Sequence, residues 1–291
     1  MKTQLTLLLC ALLGVYAPRA RAQEEDKELG KYTTLINKHP KSAASFLKRG
    51  NLYSEMGEYE AAINDYNRAI ELSPNMEEAY VKCSEALLQT EDYLLAHLTL
   101  SQAIQLFPTH EKLYLARADI AMTREDYATA VADYGKAIAL HKRSEPDYYR
   151  ARALAFVGLK DFASAIGDYN TVVQLAGAAD AGLSYSERGD VYFQQGSYSA
   201  ALADFNRAIE LNAEAHKKFG VAPSDTYYYM RGLTYMVLKS YAAALEDFIS
   251  AIEIEANTPE YYASRSQAYA ALGQNAEAQK DAAVAKTMKK K

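Results

Sequence analysis

The chain has 291 residues, of which 49% are hydrophobic and 24% charged, and its formal net charge is −5. This hydrophobic fraction is enough to build a core, which excludes wholesale disorder. With only 14 glycines and 7 prolines, the chain has too few turn residues for a fold of many short strands. The acidic balance argues against nucleic acid or an anionic membrane surface as a partner.

The first 22 residues have the pattern of a secretory signal peptide. Lys2 is followed by an apolar run from Leu5 to Val15 and by an Ala-Arg-Ala step at 20–22, which is typical of a cleavage site. The run is too short to cross a bilayer as a mature helix, so no integral membrane segment is expected after cleavage. We expect export to the periplasm or the cell exterior. The absence of any Asn-x-Ser/Thr acceptor favours a bacterial source.

A sequence repeat occupies the rest of the chain. Small residues recur at intervals of 34 to 36 residues, with one interval of 43: Gly50, Ser84, Ala118, Ala153, Gly189, Gly232 and Ser266. An alanine follows each of them twelve residues later, and an aromatic residue precedes each by four. A fixed period near 34, with small and aromatic residues in register, predicts a stacked array of helical hairpins.

These positions resemble the tetratricopeptide repeat, and the resemblance extends from Gly30 to the C-terminus. The first unit matches the consensus through Phe46, Leu47, Gly50, Tyr53, Gly57, Tyr59, Ala62, Tyr66, Ala69 and Pro74. The closing proline survives only at Pro74 and Pro108, and the opening aromatic residue is never tryptophan. The resemblance implies an all-α fold, a right-handed α-solenoid of stacked antiparallel helix hairpins.

The repeat divides the chain into successive segments. Residues 23–42 are predicted to form a half-repeat that caps the N-terminal edge. Seven hairpins are expected at 43–76, 77–110, 111–145, 146–181, 182–215, 225–258 and 259–291. The nine extra residues at 216–224 are predicted to be an inserted loop. The last helix has a polar outer face, which a solenoid needs at its end to stay soluble.

Arginine and aspartate recur at matched positions in six of the seven units. Each aspartate follows its arginine by sixteen residues: Arg49 and Asp65, Arg117 and Asp133, Arg152 and Asp168, Arg188 and Asp204, Arg231 and Asp247, Arg265 and Asp281. Because the two places are symmetric about the hairpin turn, antiparallel helices bring them to the same height. We predict an ion pair between the helices of each hairpin. A row of arginines that binds an anion is the alternative.

The sequence offers little that points to catalysis. It has no glycine-rich phosphate loop and no Gly-x-Ser-x-Gly motif, and its five histidines lack the spacing of metal ligands. Cys83 and Thr99 replace the ion pair in the second unit, so Cys83 is predicted to be a buried, inert thiol. No catalytic residue, metal or cofactor is predicted.

The resemblance also implies a binding surface, because in that family the first helices line an inner face that binds peptides or helices of partners. At the inner positions of the middle and late units the side chains are apolar: Leu154, Val157, Leu183, Phe193, Tyr229, Leu233, Met236 and Val237. In the early units they are polar or acidic: Asn51, Glu78, Glu85 and Asp119. Apolar side chains that stacking does not bury favour a groove for a ligand.

We therefore expect a non-catalytic scaffold that binds a protein or peptide partner in its groove. The groove has two other interpretations: residues near Phe219 and Val221 cover it, or self-association buries it. A self-assembling subunit of a cell-envelope complex is thus one alternative function. A small-ligand-binding protein or an enzyme, with a site inside the superhelix, is the alternative of another class.

Overall fold

In the computed structural model, the residues described are 24–141, 145–177 and 180–289. The predicted signal peptide, 1–22, lies outside them. The described residues form fifteen α-helices and no β-strand. The helices are α1 (24–38), α2 (Ala43–Glu55), α3 (Tyr59–Leu72), α4 (Glu77–Gln89), α5 (Tyr93–Leu106), α6 (Glu111–Thr123), α7 (Tyr127–Leu140), α8 (Pro146–Gly158), α9 (Phe162–Leu175), α10 (Ala181–Gln195), α11 (Tyr198–Phe219), α12 (Asp225–Val237), α13 (Tyr241–Ile254), α14 (Pro259–Ala271) and α15 (Asn275–Met288).

From α2 onward, the helices pack in consecutive antiparallel pairs, α2 with α3 through α14 with α15. They belong to two compact units: unit one contains α1–α7 and unit two contains α8–α15. Within each unit, every hairpin also packs against the next one, as α3 does against α4 and α11 against α12. The fold is an α-solenoid of helical hairpins, as the sequence predicted.

Each hairpin turns through one residue with a left-handed backbone. Glycine occupies this place at Gly57, Gly196 and Gly273, and glutamate or lysine occupies it at Glu91, Glu125, Lys160 and Lys239, with φ near 60°. A left-handed residue at the end of a helix allows the last carbonyl groups to be bonded as the chain reverses. The same turn geometry sets the register of every pair.

Small residues bring the two helices of a hairpin into close contact. A Cβ atom added to Gly189 would lie 2.9 Å from the Phe205 ring, and one added to Gly232 would lie 2.7 Å from the Phe248 ring. The rings of Phe205 and Phe248 are fully buried in these contacts. The twelve-residue alanines lie in the same interface and are buried: Ala62, Ala96, Ala130, Ala165, Ala201, Ala244 and Ala278. The alternation of small and aromatic residues therefore forms the core of each hairpin.

All six predicted Arg–Asp pairs are present, which confirms that prediction. In each of them Nε and Nη2 of the arginine donate to the two carboxylate oxygens, at 2.6 to 3.0 Å. The aspartate side chains are 5–9% exposed and the arginine side chains 17–23%. Because a carboxylate occupies the Nε–Nη2 face of each guanidinium and neutralises its charge, these pairs argue against the alternative of an anion-binding row.

Four of these arginines also reach back to the preceding hairpin or cap within their unit. Nη1 of Arg188 donates to Asn170 at 2.8 Å, and Nη1 of Arg231 donates to Asn206 at 2.7 Å. Nη1 of Arg49 and of Arg117 makes the same kind of bond to Thr33 and Ser101. Each such guanidinium therefore ties its own two helices together and joins them to the helix before.

The segment predicted as a loop over 216–224 is a loop only over 220–224. Helix α11 continues through Phe219 and ends at Gly220, whose φ is +72°. The side chain of Asn212 bonds the backbone of Ala222 and Ser224, which holds the loop against α11. The predicted repeat ends at residue 215, but no glycine or proline occurs between that residue and Gly220, so the helix continues to Phe219. Phe219 remains 53% exposed.

Two glycine substitutions test the close contact of the helices. Gly189→Ala should lower the free energy of unfolding by roughly 1–3 kcal/mol, because the new methyl group displaces the Phe205 ring. Gly167 in α9 has no atom within 4 Å of its added Cβ. Gly167→Ala should therefore raise stability by about 0.5–1 kcal/mol. Urea denaturation measures both. Equal effects at the two sites would contradict the packing described.

Removing one partner of an Arg–Asp pair tests whether these pairs stabilise the hairpins. Asp204→Ala should cost about 3 kcal/mol of unfolding free energy, since Arg188 is left without its carboxylate partner in a largely buried place. The matched control on the same helix is Glu210→Ala, which removes an exposed ion pair with Arg207 and should leave the melting temperature unchanged. The double variant Arg188→Ala, Asp204→Ala should lose less than the two single losses added together. Unchanged melting of all the Asp204 and Arg188 variants would refute the role of the pair.

Candidate functional site

A cavity of about 500 Å³ lies among the first helices of three hairpins in unit two. Helix α8 contributes Leu154 and Val157, α9 contributes Tyr169, and α12 with its preceding residue contributes Ser224, Thr226, Tyr227 and Met230. Helix α10 contributes the largest share: Leu183, Ser186, Glu187, Asp190, Val191 and Gln194. The volume falls within the range usual for ligand sites in proteins, 300–1,000 Å³.

The spacing along α10 explains why this helix dominates the wall. Leu183, Glu187, Asp190 and Gln194 recur at intervals of three and four residues, so they share one face of the helix. Each first helix contributes a similar stripe, because the hairpins repeat with nearly the same period. The cavity is thus lined by the face of the first helices that does not pack against the second helix of the same hairpin.

The wall of the cavity is largely apolar. Leu154 and Leu183 are 48% and 45% exposed, whereas Val191 and Tyr227, which also line the cavity, are buried. Burial raises the pKa of the Tyr227 hydroxyl to about 12. The two exposed leucines form an apolar surface that a bound ligand would remove from water.

Two carboxylates add negative charge to this cavity. Glu187 accepts a hydrogen bond from Nε of Arg150 at 2.9 Å, and Arg150 also pairs with Asp147. Asp190 accepts from the amide of Gln194 at 2.7 Å. Burial raises the pKa of both Glu187 and Asp190, and these two hydrogen bonds act in the opposite direction.

The structure brings three of the eight predicted apolar site residues together at the cavity: Leu154, Val157 and Leu183. The other five lie elsewhere in unit two. Phe193 packs its ring against Tyr198 across the turn of its own hairpin, with centroids 5.6 Å apart. Tyr229 packs against Phe248 and Tyr261.

Leu233 and Met236 are partly buried against the core cluster that contains Phe248. Val237 is 46% exposed at the end of α12. These two core contacts, and those of Phe193 and Tyr229, involve second or neighbouring helices that a face-by-face analysis of the sequence does not include.

The predicted polar residues lie on unit one and largely serve the hairpins themselves. Asn51 and Asp119 each accept a hydrogen bond from a second-helix tyrosine, Tyr66 at 3.0 Å and Tyr134 at 2.6 Å. Glu85 pairs with Lys82 of its own helix at 2.7 Å. Glu78 is exposed.

Sequence reasoning missed Glu187, Asp190, Tyr227 and Met230 as members of the site. The signal was present, because Glu187 and Asp190 follow Leu183 at helical spacing on the same face. Selecting only apolar residues from that face removed them.

Within the part of the chain that the structure describes, no group of histidine, cysteine and carboxylate side chains is arranged to hold a metal ion. In the same residues, no helix combines the length and the apolar character that crossing a membrane requires. Cys83 is fully buried in the core of the second hairpin, where its Sγ lies 3.6 Å from Oδ1 of Asn67.

Stacked hairpins with a lined cavity on their first helices define a class of protein, the helical-repeat scaffolds that bind other proteins. Family models described as TPR repeat or tetratricopeptide repeat match residues 50–91, 115–183, 183–214 and 225–258. The chain belongs to the tetratricopeptide-repeat proteins. This family and fold are typically non-catalytic.

Solved structures share the fold at low sequence identity. The C-terminal part of a TPR repeat-containing protein from Cytophaga hutchinsonii aligns over 95% of its length and 84% of this chain, with a TM-score of 0.67 and 13% identity. A tetratricopeptide repeat protein from Parabacteroides merdae aligns over 97% of its length and 88% of this chain, with a TM-score of 0.54 and 15% identity.

A third likeness is to a chain in the APC/C hetero-tetramer Cut9–Hcn1, with a TM-score of 0.49 and 16% identity. Here 84% of this chain aligns, and it spans only 46% of that chain. At such identities a likeness concerns the fold alone. No curated protein matches the sequence.

The environment of Cys83 predicts a thiol that does not react in the folded protein. Burial raises the pKa of this thiol to about 12, so almost no thiolate is present at neutral pH. In a Cys10→Ser variant, a thiol reagent such as iodoacetamide should leave Cys83 unmodified and should modify it fully in urea. Mass spectrometry reads out the difference. Rapid modification of the native protein would contradict the buried position.

Proposed function

We propose that this protein is a non-catalytic scaffold that binds a segment of a partner protein in the cavity of unit two. The observation that supports this most directly is the pair of exposed leucines, Leu154 and Leu183, on the wall of a 500 Å³ cavity. A partner segment that covers them gains the free energy of burying apolar surface. The lining comes mainly from the first helices α8, α10 and α12, which an extended or helical peptide would contact.

The proposal includes export and seven repeats. Export is proposed from the signal-peptide pattern of residues 1–22, with the periplasm or the cell exterior as the proposed location of the mature protein. The count of seven rests on the seven helix pairs from α2 to α15 in the described residues, four stretches of which match the family models.

A second candidate, self-assembly of the chain in a cell-envelope complex, is favoured by α5. This helix contains no charged residue, and its Leu94, Leu95 and Leu98 are 59%, 43% and 55% exposed. An uncharged helix face with three exposed leucines is suited to contact with another protein surface.

Two pairs of leucine substitutions distinguish these candidates. One variant carries Leu154→Asp and Leu183→Asp at the cavity, and its matched control carries Leu94→Asp and Leu98→Asp on α5. All four leucines are about half exposed, so both variants should keep the circular dichroism of the parent protein. Each protein is immobilised and exposed to an envelope extract of the source organism, and a captured protein is then purified and its Kd measured.

The proposal predicts that the captured protein binds the cavity variant at least about tenfold more weakly and binds the α5 variant as it binds the parent. A partner released by the α5 variant alone would overturn the assignment of the cavity. A dimer mass in light scattering, lost only in the α5 variant, would favour self-assembly.

A further inference from the structure

Two of the seven hairpins contain a polar contact between their helices that the described residues of the other five do not form. The contact joins two repeat positions. The first comes directly after the small residue of the first helix, as Asn51 does after Gly50, and the second lies fifteen residues later on the second helix, as Tyr66 does. Where this first residue is Asn51 or Asp119, a tyrosine hydroxyl bonds to it, from Tyr66 or Tyr134. The amide or carboxylate and the hydroxyl satisfy each other within the hairpin.

In the fourth and fifth hairpins the two halves of this contact are separated. The fourth hairpin has Tyr169 on its second helix, but its first-helix partner is Leu154. The fifth has Asp190 on its first helix, but its second-helix partner is Phe205, which has no hydroxyl. An acid without its tyrosine and a tyrosine without its acid therefore occur in neighbouring hairpins.

Both unmatched groups line the same cavity. Among the described residues, the Tyr169 hydroxyl has no hydrogen-bond partner, and the only partner of the Asp190 carboxylate is the amide of Gln194 on its own helix. Burial raises the pKa of both groups. Tyr169 is almost fully buried, whereas Asp190 is partly exposed and bonds only one group of the chain. The Asp190 carboxylate can therefore accept further hydrogen bonds from a ligand.

The cations near this cavity are already paired. Arg150 is held by Glu187 and Asp147. Three further arginines of the first helices each hold the aspartate of their own hairpin through two hydrogen bonds: Arg152, Arg188 and Arg231. Within the described residues no lysine, arginine or histidine pairs with Asp190, so the cavity presents a carboxylate without a counter-ion next to an apolar wall.

We propose that the cavity recognises a partner segment that carries a lysine or arginine beside an aliphatic or aromatic residue. The cation pairs with Asp190, and the apolar side chain covers Leu154 and Leu183. An acidic segment is disfavoured, since it would bring like charge to Asp190, which has no counter-ion among the described residues. This inference rests on the proposed function, because it specifies the chemistry of the segment that the cavity binds.

A selection from random dodecapeptides displayed on phage tests it. The full chain is the bait, and enriched peptides are sorted by whether they still bind the Leu154→Asp, Leu183→Asp variant. Peptides that need the leucines are expected to carry lysine or arginine next to an apolar residue. Repeating the selection on Asp190→Asn should remove the preference for the basic residue and keep the apolar one.

A double-mutant cycle on the best peptide measures the pairing itself. By fluorescence anisotropy, Asp190→Asn should raise the Kd about tenfold, as expected for a lost charge-assisted hydrogen bond. Changing the peptide lysine to glutamine should do the same, and the two changes together should weaken binding no further. The control is Glu210→Gln, which removes a carboxylate of unit two that lies outside the cavity lining and should leave the Kd as it was.

The outcomes separate this inference from the function on which it rests. Leucine-dependent peptides without a basic residue, or additive effects in the cycle, would overturn the preference for a cation. The peptide-binding function of the cavity would remain supported. Failure to enrich any leucine-dependent peptide would overturn the binding function of the cavity, and this inference with it.

Discussion

The guanidinium groups on the first helices are the interaction on which the rest of the structure depends. Six arginines each donate hydrogen bonds to both carboxylate oxygens of an aspartate on the second helix. These two hydrogen bonds fix the rotation of one helix about the other. Five of these arginines also lie over aromatic rings of their own helix at 5.2 to 5.9 Å. Because the ion pair sets the height of the helices, the glycine or alanine beside it meets the buried ring. The cavity depends on the same constraint, since α8, α10 and α12 are held in register by their own pairs.

Much of this fold could be predicted because the residues that form each contact recur at the same positions in several repeats. The Arg–Asp pairs followed from a spacing of sixteen residues that straddles the turn, and antiparallel geometry left one arrangement for it. The small and aromatic positions followed in the same way. The extent of α11 did not, because it depends on where a helix stops after the repeat ends. Four helix-forming residues before Gly220 decide that locally.

The site was only half predictable. Periodicity showed which face Leu154 and Leu183 occupy, and the cavity is there. It also assigned Met236 and Leu233 to that face, but the cluster around Phe248 partly buries both. Which neighbour covers a given side chain is a property of packing between hairpins, and one hairpin's sequence does not contain it. That Asp190 lacks a tyrosine partner could have been predicted, since Phe205 lies fifteen residues after it, where Asn51 and Asp119 have a tyrosine.

The second hairpin differs from its neighbours in a way that affects how the array comes apart. Its guanidinium and carboxylate are replaced by Cys83 and Thr99, and a thiol 3.6 Å from Asn67 stands where a double hydrogen bond joins the others. In a linear array each hairpin is held only by its neighbours, so cooperativity passes along the chain through successive interfaces. A link that lacks the bidentate pair transmits less of it. Under tension or in mild denaturant, α4 and α5 thus mark the place where one end of unit one can open while the other keeps its native contacts.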